Sequence, residues 1–219
     1  MNNEYQSTLK GLYAITDPHL MGNDLLSMSE QAILAGINIL QYRNKVASEK
    51  LQYEEAAALS ALCKKHHVLF IVNDDVELAR KVDADGVHLG QKDMSPGLAR
   101  ELLGNNKIIG VSCNNQLVLA KEAQQQGADY IAFGRFFNSL TKPGAPQAEL
   151  DLLTEAHQIL SIPVVAIGGI TPATAPVLLK SGASILAVIN GLFAQGDVFR
   201  ATREFIEIIQ QLDTPSTSG

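Results

Sequence analysis

Gln41, Arg43 and Lys45 occupy alternate positions in the segment LQYRNK (40–45), directly after a small apolar run. If that run is a strand that continues, an amide, a guanidinium and an ammonium all project from one face. Cations so placed suit an anionic oxygen ligand. Other apolar runs end in polar residues too: Asn73, Asp74 and Asp75, then Gln91 and Asp93, then Ser112. Gly168 and Gly169 close another run, and Asn190 and Gly191 the last. Glycines without side chains let backbone N–H groups approach a phosphate. Asp74 and Asp93 would repel a bare polyphosphate. Carboxylates and cations fit one polyanion when a hard divalent ion stands between them, and magnesium takes one or two carboxylates plus phosphate oxygens and waters. The residues therefore suggest a magnesium–diphosphate site facing a monophosphate site, and so two phosphorylated substrates joined with diphosphate as leaving group.

Each feature alone has a plainer reading. NDD is a common turn or helix cap, Asp93 a surface loop acid, a strand-end arginine a salt-bridge partner, and the glycines tight turns. Their meaning depends on whether the fold brings them to one place.

The spacing of the elements predicts that it does. The strand candidates are 11–17, 38–44, 69–74, 86–91, 107–113, 130–136, 163–169 and 185–191, eight in all. Amphipathic segments separate them, including 48–67 with Ser48 as N-cap, 115–127 ending at Gly127, and 171–182 with Thr171 before Pro172. Pro176 lies deeper in the last of these and is expected to delay or distort its start. The phrases AGIN, DADG, QGAD and SGAS each precede a strand and repeat one helix-stop and strand-entry chemistry. Strands too continuously apolar to be half-exposed argue for a parallel sheet covered by helices. Eight such units predict a single-domain α/β fold, the (β/α)8 TIM barrel, whose chemistry belongs at the C-terminal strand ends. A doubly wound open sheet is the alternative, disfavoured by the eightfold count and by the absence of GxGxxG after the first strand.

Composition narrows the class. The 219-residue chain has a net charge of −6, is 46% hydrophobic and is 18% charged. That balance excludes extensive disorder and a general nucleic-acid or anionic-membrane surface. Neither of the two cysteines, Cys63 and Cys113, has metal-type spacing. A reducing cytoplasm is the expected setting, since the polar N-terminus has no signal-peptide character and no apolar run reaches a membrane span. The expected organisation is an extension over 1–10, a barrel over 11–211 and a flexible tail over 212–219.

The motifs QYRNK, VNDD, DGVHLGQKD, GVS, GADYIAFGRFFNSLTK, PVVAIGGI and AVI occur in this order. In them the chain resembles the thiamine-phosphate synthase family from Gly11 to about Gln211. The resemblance implies a barrel enzyme that couples hydroxymethylpyrimidine diphosphate to hydroxyethylthiazole phosphate with magnesium. It implies pyrimidine diphosphate contacts from Gln41, Arg43, Lys45, Asn73, Ser112 and Lys142, of which Arg43, Lys45, Lys142 and Ser112 are catalytic. It implies magnesium at Asp74 and Asp93, and thiazole phosphate at Ser139, Thr141, Gly168, Gly169, Ile189 and Asn190. Two positions depart from the family pattern: Asn190 stands where serine is usual, and Ser139 where threonine is common.

The competing readings are a thiazole tautomerase-like isomerase, a non-catalytic thiazole-phosphate-binding protein and a sugar-phosphate epimerase. His88 is expected to pack or hydrogen-bond in the barrel interior rather than to bind a metal, Cys113 to be a small buried residue rather than a nucleophile, and His66 and His67 to decorate a helix end. The connection 138–146 is a candidate lid. Partners are expected to be small phosphorylated molecules, without nucleic acid or membrane; oligomeric state is not fixed and a homodimer remains open.

Overall fold

The computed structural model describes residues 9–138 and 146–213. Eight parallel strands close into a barrel in chain order. They are β1 (Gly11–Ile15), β2 (Ile39–Tyr42), β3 (Leu69–Asn73), β4 (Gly86–Leu89), β5 (Ile108–Ser112), β6 (Tyr130–Phe133), β7 (Val164–Ile167) and β8 (Ile185–Val188). The helices are α1 (Pro18–Met21), α2 (Leu25–Ala35), α3 (Glu49–His66), α4 (Val76–Lys81), α5 (Pro96–Leu103), α6 (Leu117–Gln125), α7 (Asp151–Ile159), α8 (Ala175–Lys180), α9 (Asn190–Phe193) and α10 (Val198–Asp213). Every predicted strand is present, shorter at its C-terminal end because the polar residues there leave the ladder.

Strand parity separates two cores. Tyr13, Ile15, Ile39, Ile71, Ile108, Tyr130, Ala132, Val165, Ile185 and Ala187 fill the barrel interior. Their neighbours Leu12, Leu40, Phe70, Val87, Ile109, Ile131, Val164 and Leu186 face the helices. Both faces are buried, hence the unbroken apolar runs. Leu9, in the expected N-terminal extension, is 1% exposed and belongs to the interior cluster. The long amphipathic α10 packs on α2 and α8.

The helix starts follow their caps. Ser48 accepts from Leu51 N–H at α3, Asp75 from Leu78 N–H at α4, and Ser95 from Leu98 N–H at α5. Pro176 occupies the first turn of α8, whose N-cap is Thr174 rather than Thr171. A turn over 171–174, with Ala175 N–H on Thr171 O, takes up the expected delay. The four repeated phrases share a left-handed residue: Gly36, Asp83, Gly127 and Gly182. Next to these turns, the side chains of Asn38, Asp85 and Asp129 each accept the N–H of the second residue of the preceding strand, from Leu12 (3.0 Å), Phe70 (2.8 Å) and Ile109 (2.7 Å). This clamps the N-terminal face and leaves the opposite face to the site.

Candidate active site

A cavity of about 410 Å³ opens at the C-terminal ends of the strands. Gln41, Arg43, Asn73, Ser112, Gly168, Gly169, Ile189 and Asn190 all line it, so the fold gathers residues that span most of the sequence. Ser139, Thr141 and Lys142, with most of the candidate lid, lie outside the described residues.

The first wall belongs to β2. The strand ends at Tyr42, so its alternation does not carry on to Lys45 as the spacing suggested. Gln41 and Arg43 reach the cavity, whereas Lys45 turns to the rim and pairs with Asp74 Oδ2 at 2.6 Å. Thr16 holds Arg43 by its backbone, accepting the Arg43 N–H at 2.8 Å. Asn44 builds the following loop: its Oδ1 accepts from Val46 and Ala47 N–H. Its Nδ2 donates to Glu55 Oε2 at 2.9 Å, beside the Tyr42 hydroxyl at 2.7 Å. Burial, then the Glu55 carboxylate, push the Tyr42 hydroxyl upward, so it stays a donor.

Asp74 and Asp93 form the acidic rim. Asp74 adopts φ 63, a left-handed conformation that aspartate tolerates, and its N–H donates to His88 O at 2.8 Å. Burial opposes its charge, but the Lys45 ammonium and a hydrogen bond with Asp93 outweigh that and lower its pKa. Burial and the Asp74 carboxylate raise the pKa of Asp93, against the pull of Gly90 N–H and Lys45. The pKa values of two adjacent carboxyl groups are thus moved in opposite directions, the inner one down and the outer one up. Among the described residues no cluster of three or more His, Cys, Asp or Glu side chains could hold a metal. Two hard carboxylates that supply only part of a coordination sphere fit magnesium, which completes it with phosphate oxygens and waters.

Opposite lies the end of β7. Gly168 (φ 104) and Gly169 (φ 65) are both left-handed, and a methyl group on either would collide with the 135–138 backbone. That chain runs alongside, with Phe137 N–H on Gly168 O at 3.0 Å. These glycines therefore answer a packing demand as well as leaving N–H groups uncovered. The short α9 begins next to them at Asn190.

The cavity floor adds two residues to which the sequence assigned no role, Tyr13 and Tyr130. Gln41 Nε2 donates to the Tyr13 hydroxyl (2.6 Å), which meets the Tyr130 hydroxyl (2.9 Å). Tyr130 in turn meets His88 Nδ1 (3.0 Å), and His88 Nε2 meets Ser112 Oγ (2.9 Å). His88 stacks on Tyr130 and is 8% exposed, so it is the interior hydrogen-bonding residue expected. Arg135, Asn114, Asn138 and Gln195 also line the cavity. Only the polar residue beside each strand end could have signalled them. Burial pushes the Cys113 thiol up to about 12, which leaves it protonated and inert.

Residues 12–192 match the family described as thiamine monophosphate synthase. The thiamine-phosphate synthase of Alcanivorax borkumensis is 53% identical over 190 residues, covering 86% of this chain and 88% of that protein. That of Nitrosococcus oceani is 46% identical over 200 residues, covering 91% and 92%. The structure of a thiamine phosphate pyrophosphorylase from Pyrococcus furiosus superposes with a TM-score of 0.88 at 36% identity, covering 96% of this chain and all of that one. With one fold and one set of strand-end motifs running along nearly its whole length, the chain belongs to the thiamine monophosphate synthase family of enzymes.

Proposed function

We propose that this protein, a transferase of that family, joins hydroxymethylpyrimidine diphosphate to hydroxyethylthiazole phosphate and releases thiamine phosphate and diphosphate. The observation that carries the reading is the pairing of opposites across one cavity. Arg43 and the Lys45–Asp74–Asp93 rim stand on one side, and the Gly168–Gly169 turn with the start of α9 on the other. A reaction with one diphosphate and one monophosphate partner needs both.

In the proposed step, the bond between the pyrimidine methylene carbon and the diphosphate oxygen breaks, and its electron pair leaves with diphosphate. The electron-rich pyrimidine ring stabilises the resulting cation. The thiazole nitrogen then supplies its lone pair to form the new carbon–nitrogen bond. No covalent nucleophile of the protein is required. Asp74 and Asp93 would hold magnesium, which would supply charge neutralisation to the leaving diphosphate. Arg43 from within the cavity and Lys45 from its rim neutralise the same oxygens, a role shared with Lys142. Gln41, Asn73 and Ser112 contact the pyrimidine diphosphate. Ser139, Thr141, Gly168, Gly169, Ile189 and Asn190 seat the thiazole phosphate, so the nitrogen is held in line. The apolar walls from Ile15, Ala132, Val165, Ile167 and Ala187 keep water from the cation.

Mixing the two substrates with and without magnesium tests this. Thiamine phosphate and diphosphate should appear in equal amounts only when the metal is present. Binding of the thiazole phosphate without product would favour a non-catalytic binding protein, and release of product at full rate in chelator would overturn the metal's part.

A further inference from the structure

We propose that Tyr13, Tyr130 and His88 are positioning residues that fix which atoms of Gln41 and Ser112 donate and which accept hydrogen bonds from the pyrimidine substrate. The inference rests on the reading above that both residues meet the pyrimidine diphosphate.

The five side chains form one unbroken line across the barrel floor, with every link between 2.6 and 3.0 Å. Tyr130 is 0% exposed, Tyr13 1% and Gln41 2%. An amide nitrogen has no lone pair to offer, so Gln41 Nε2 can only donate. The Tyr13 oxygen must accept, which sends its hydrogen to Tyr130. Tyr130 then sends its own hydrogen to His88 Nδ1. An accepting Nδ1 places the imidazole proton on Nε2, where it donates to Ser112 Oγ. The Ser112 hydroxyl hydrogen is thereby turned away from His88 and towards the cavity. Burial raises both tyrosines above their ordinary range, so each keeps its hydrogen for the relay.

The consequence lies at the two ends. Gln41 presents its carbonyl oxygen and its second amide hydrogen to a ligand. Ser112 presents a donor. A ligand edge with a hydrogen acceptor beside a hydrogen donor meets that Gln41 pattern without rearrangement. Reversing any link would reverse both ends together, because each hydroxyl has one hydrogen to give. The room for the line comes from Gly110, where a methyl group would overlap the Tyr130 ring and hydroxyl.

Two measurements on the full-length protein test the proposal. Imidazole nitrogen NMR, with His88 assigned among the five histidines by a His88→Asn variant, should find His88 as the Nε2–H tautomer. Tyr130→Phe should convert it to a tautomeric mixture. In steady-state kinetics, Tyr13→Phe should raise KM for the pyrimidine diphosphate about tenfold and leave KM for the thiazole phosphate unchanged. In a Gln41→Ala background the same substitution should add nothing further. An Nδ1–H tautomer in the unsubstituted protein, equal rises in both KM values, or full additivity with Gln41→Ala would each overturn the proposal while leaving the proposed function standing. Failure of the unsubstituted protein to form thiamine phosphate would instead overturn that function, on which the substrate assignment here depends. The tautomer is read on the unsubstituted protein, so with His88 assigned it holds even if Tyr130→Phe or Tyr13→Phe folds poorly.

Discussion

Gly110→Ala puts one methyl group into the most crowded point of the barrel floor. Gly110 pairs with Tyr130 across β5 and β6 and with His88 across β4 and β5. Carbon atoms pack about 3.5–4.0 Å apart, and the added methyl would sit well inside that distance from the Tyr130 ring and hydroxyl. The ring must therefore move on the order of 1–2 Å, measured against that normal spacing. Its hydroxyl bonds to Tyr13 and His88, at 2.9 and 3.0 Å, have only about 0.5 Å of slack before they cease to be hydrogen bonds. Overpacking costs about 1–3 kcal/mol, and two buried hydrogen bonds add about 1 kcal/mol each. The expected loss is about 3–5 kcal/mol in total. Urea unfolding followed by circular dichroism should show a much lower midpoint with an unchanged slope. Gly97→Ala is the control: nothing lies within 4 Å of the added methyl, and its place inside α5 favours alanine by roughly 0.5–1 kcal/mol. A midpoint for Gly110→Ala equal to that of the unsubstituted protein would refute the close-packed floor and, with it, the reason a glycine stands there.

Other consequences are as open to measurement. Because a metal needs the Asp93 carboxylate and the Asp93 pKa is raised, magnesium should bind more tightly as pH rises through that pKa and more weakly as pH falls below it; isothermal titration at several pH values would show a flat profile if the pair were not the site. Asp74→Asn and Asp93→Asn should each raise the magnesium needed for half-maximal rate at least tenfold, and an unchanged requirement in both would remove the assignment. Asp129→Ala deprives Ile109 N–H and Arg100 of a carboxylate and should cost about 2 kcal/mol of stability with little effect on KM. Glu55→Ala releases Asn44 and should raise KM for the pyrimidine diphosphate severalfold while sparing the thiazole phosphate; equal KM values would mean that the loop holds itself.

The eight strands and their order were legible because a strand buried on both faces must be apolar at every position, a pattern independent of its partners. Helix starts were legible wherever a cap is local, as at Ser48, and uncertain where the turn is not, as at Thr174. The strand-end rule located Gln41, Arg43, Asn73, Ser112, Gly168, Gly169 and Asn190 at one cavity, since all parallel strands of a barrel end on the same face.

What the sequence could not decide is where a polar side chain turns once its strand has ended. Lys45 sits two residues from Arg43 yet leaves the cavity for Asp74, because beyond Tyr42 the direction is set by the loop that Asn44 and Glu55 build, not by strand parity. The floor was hidden for a related reason. Tyr13, Tyr130 and His88 look like ordinary core residues in their separate strands, and 117 positions separate the two tyrosines. Residue type and local spacing determined the barrel and the chemistry of its rim. Barrel closure alone, by bringing β1, β2, β4, β5 and β6 to one axis, decided that buried hydroxyls and an imidazole would meet and give Gln41 and Ser112 their direction.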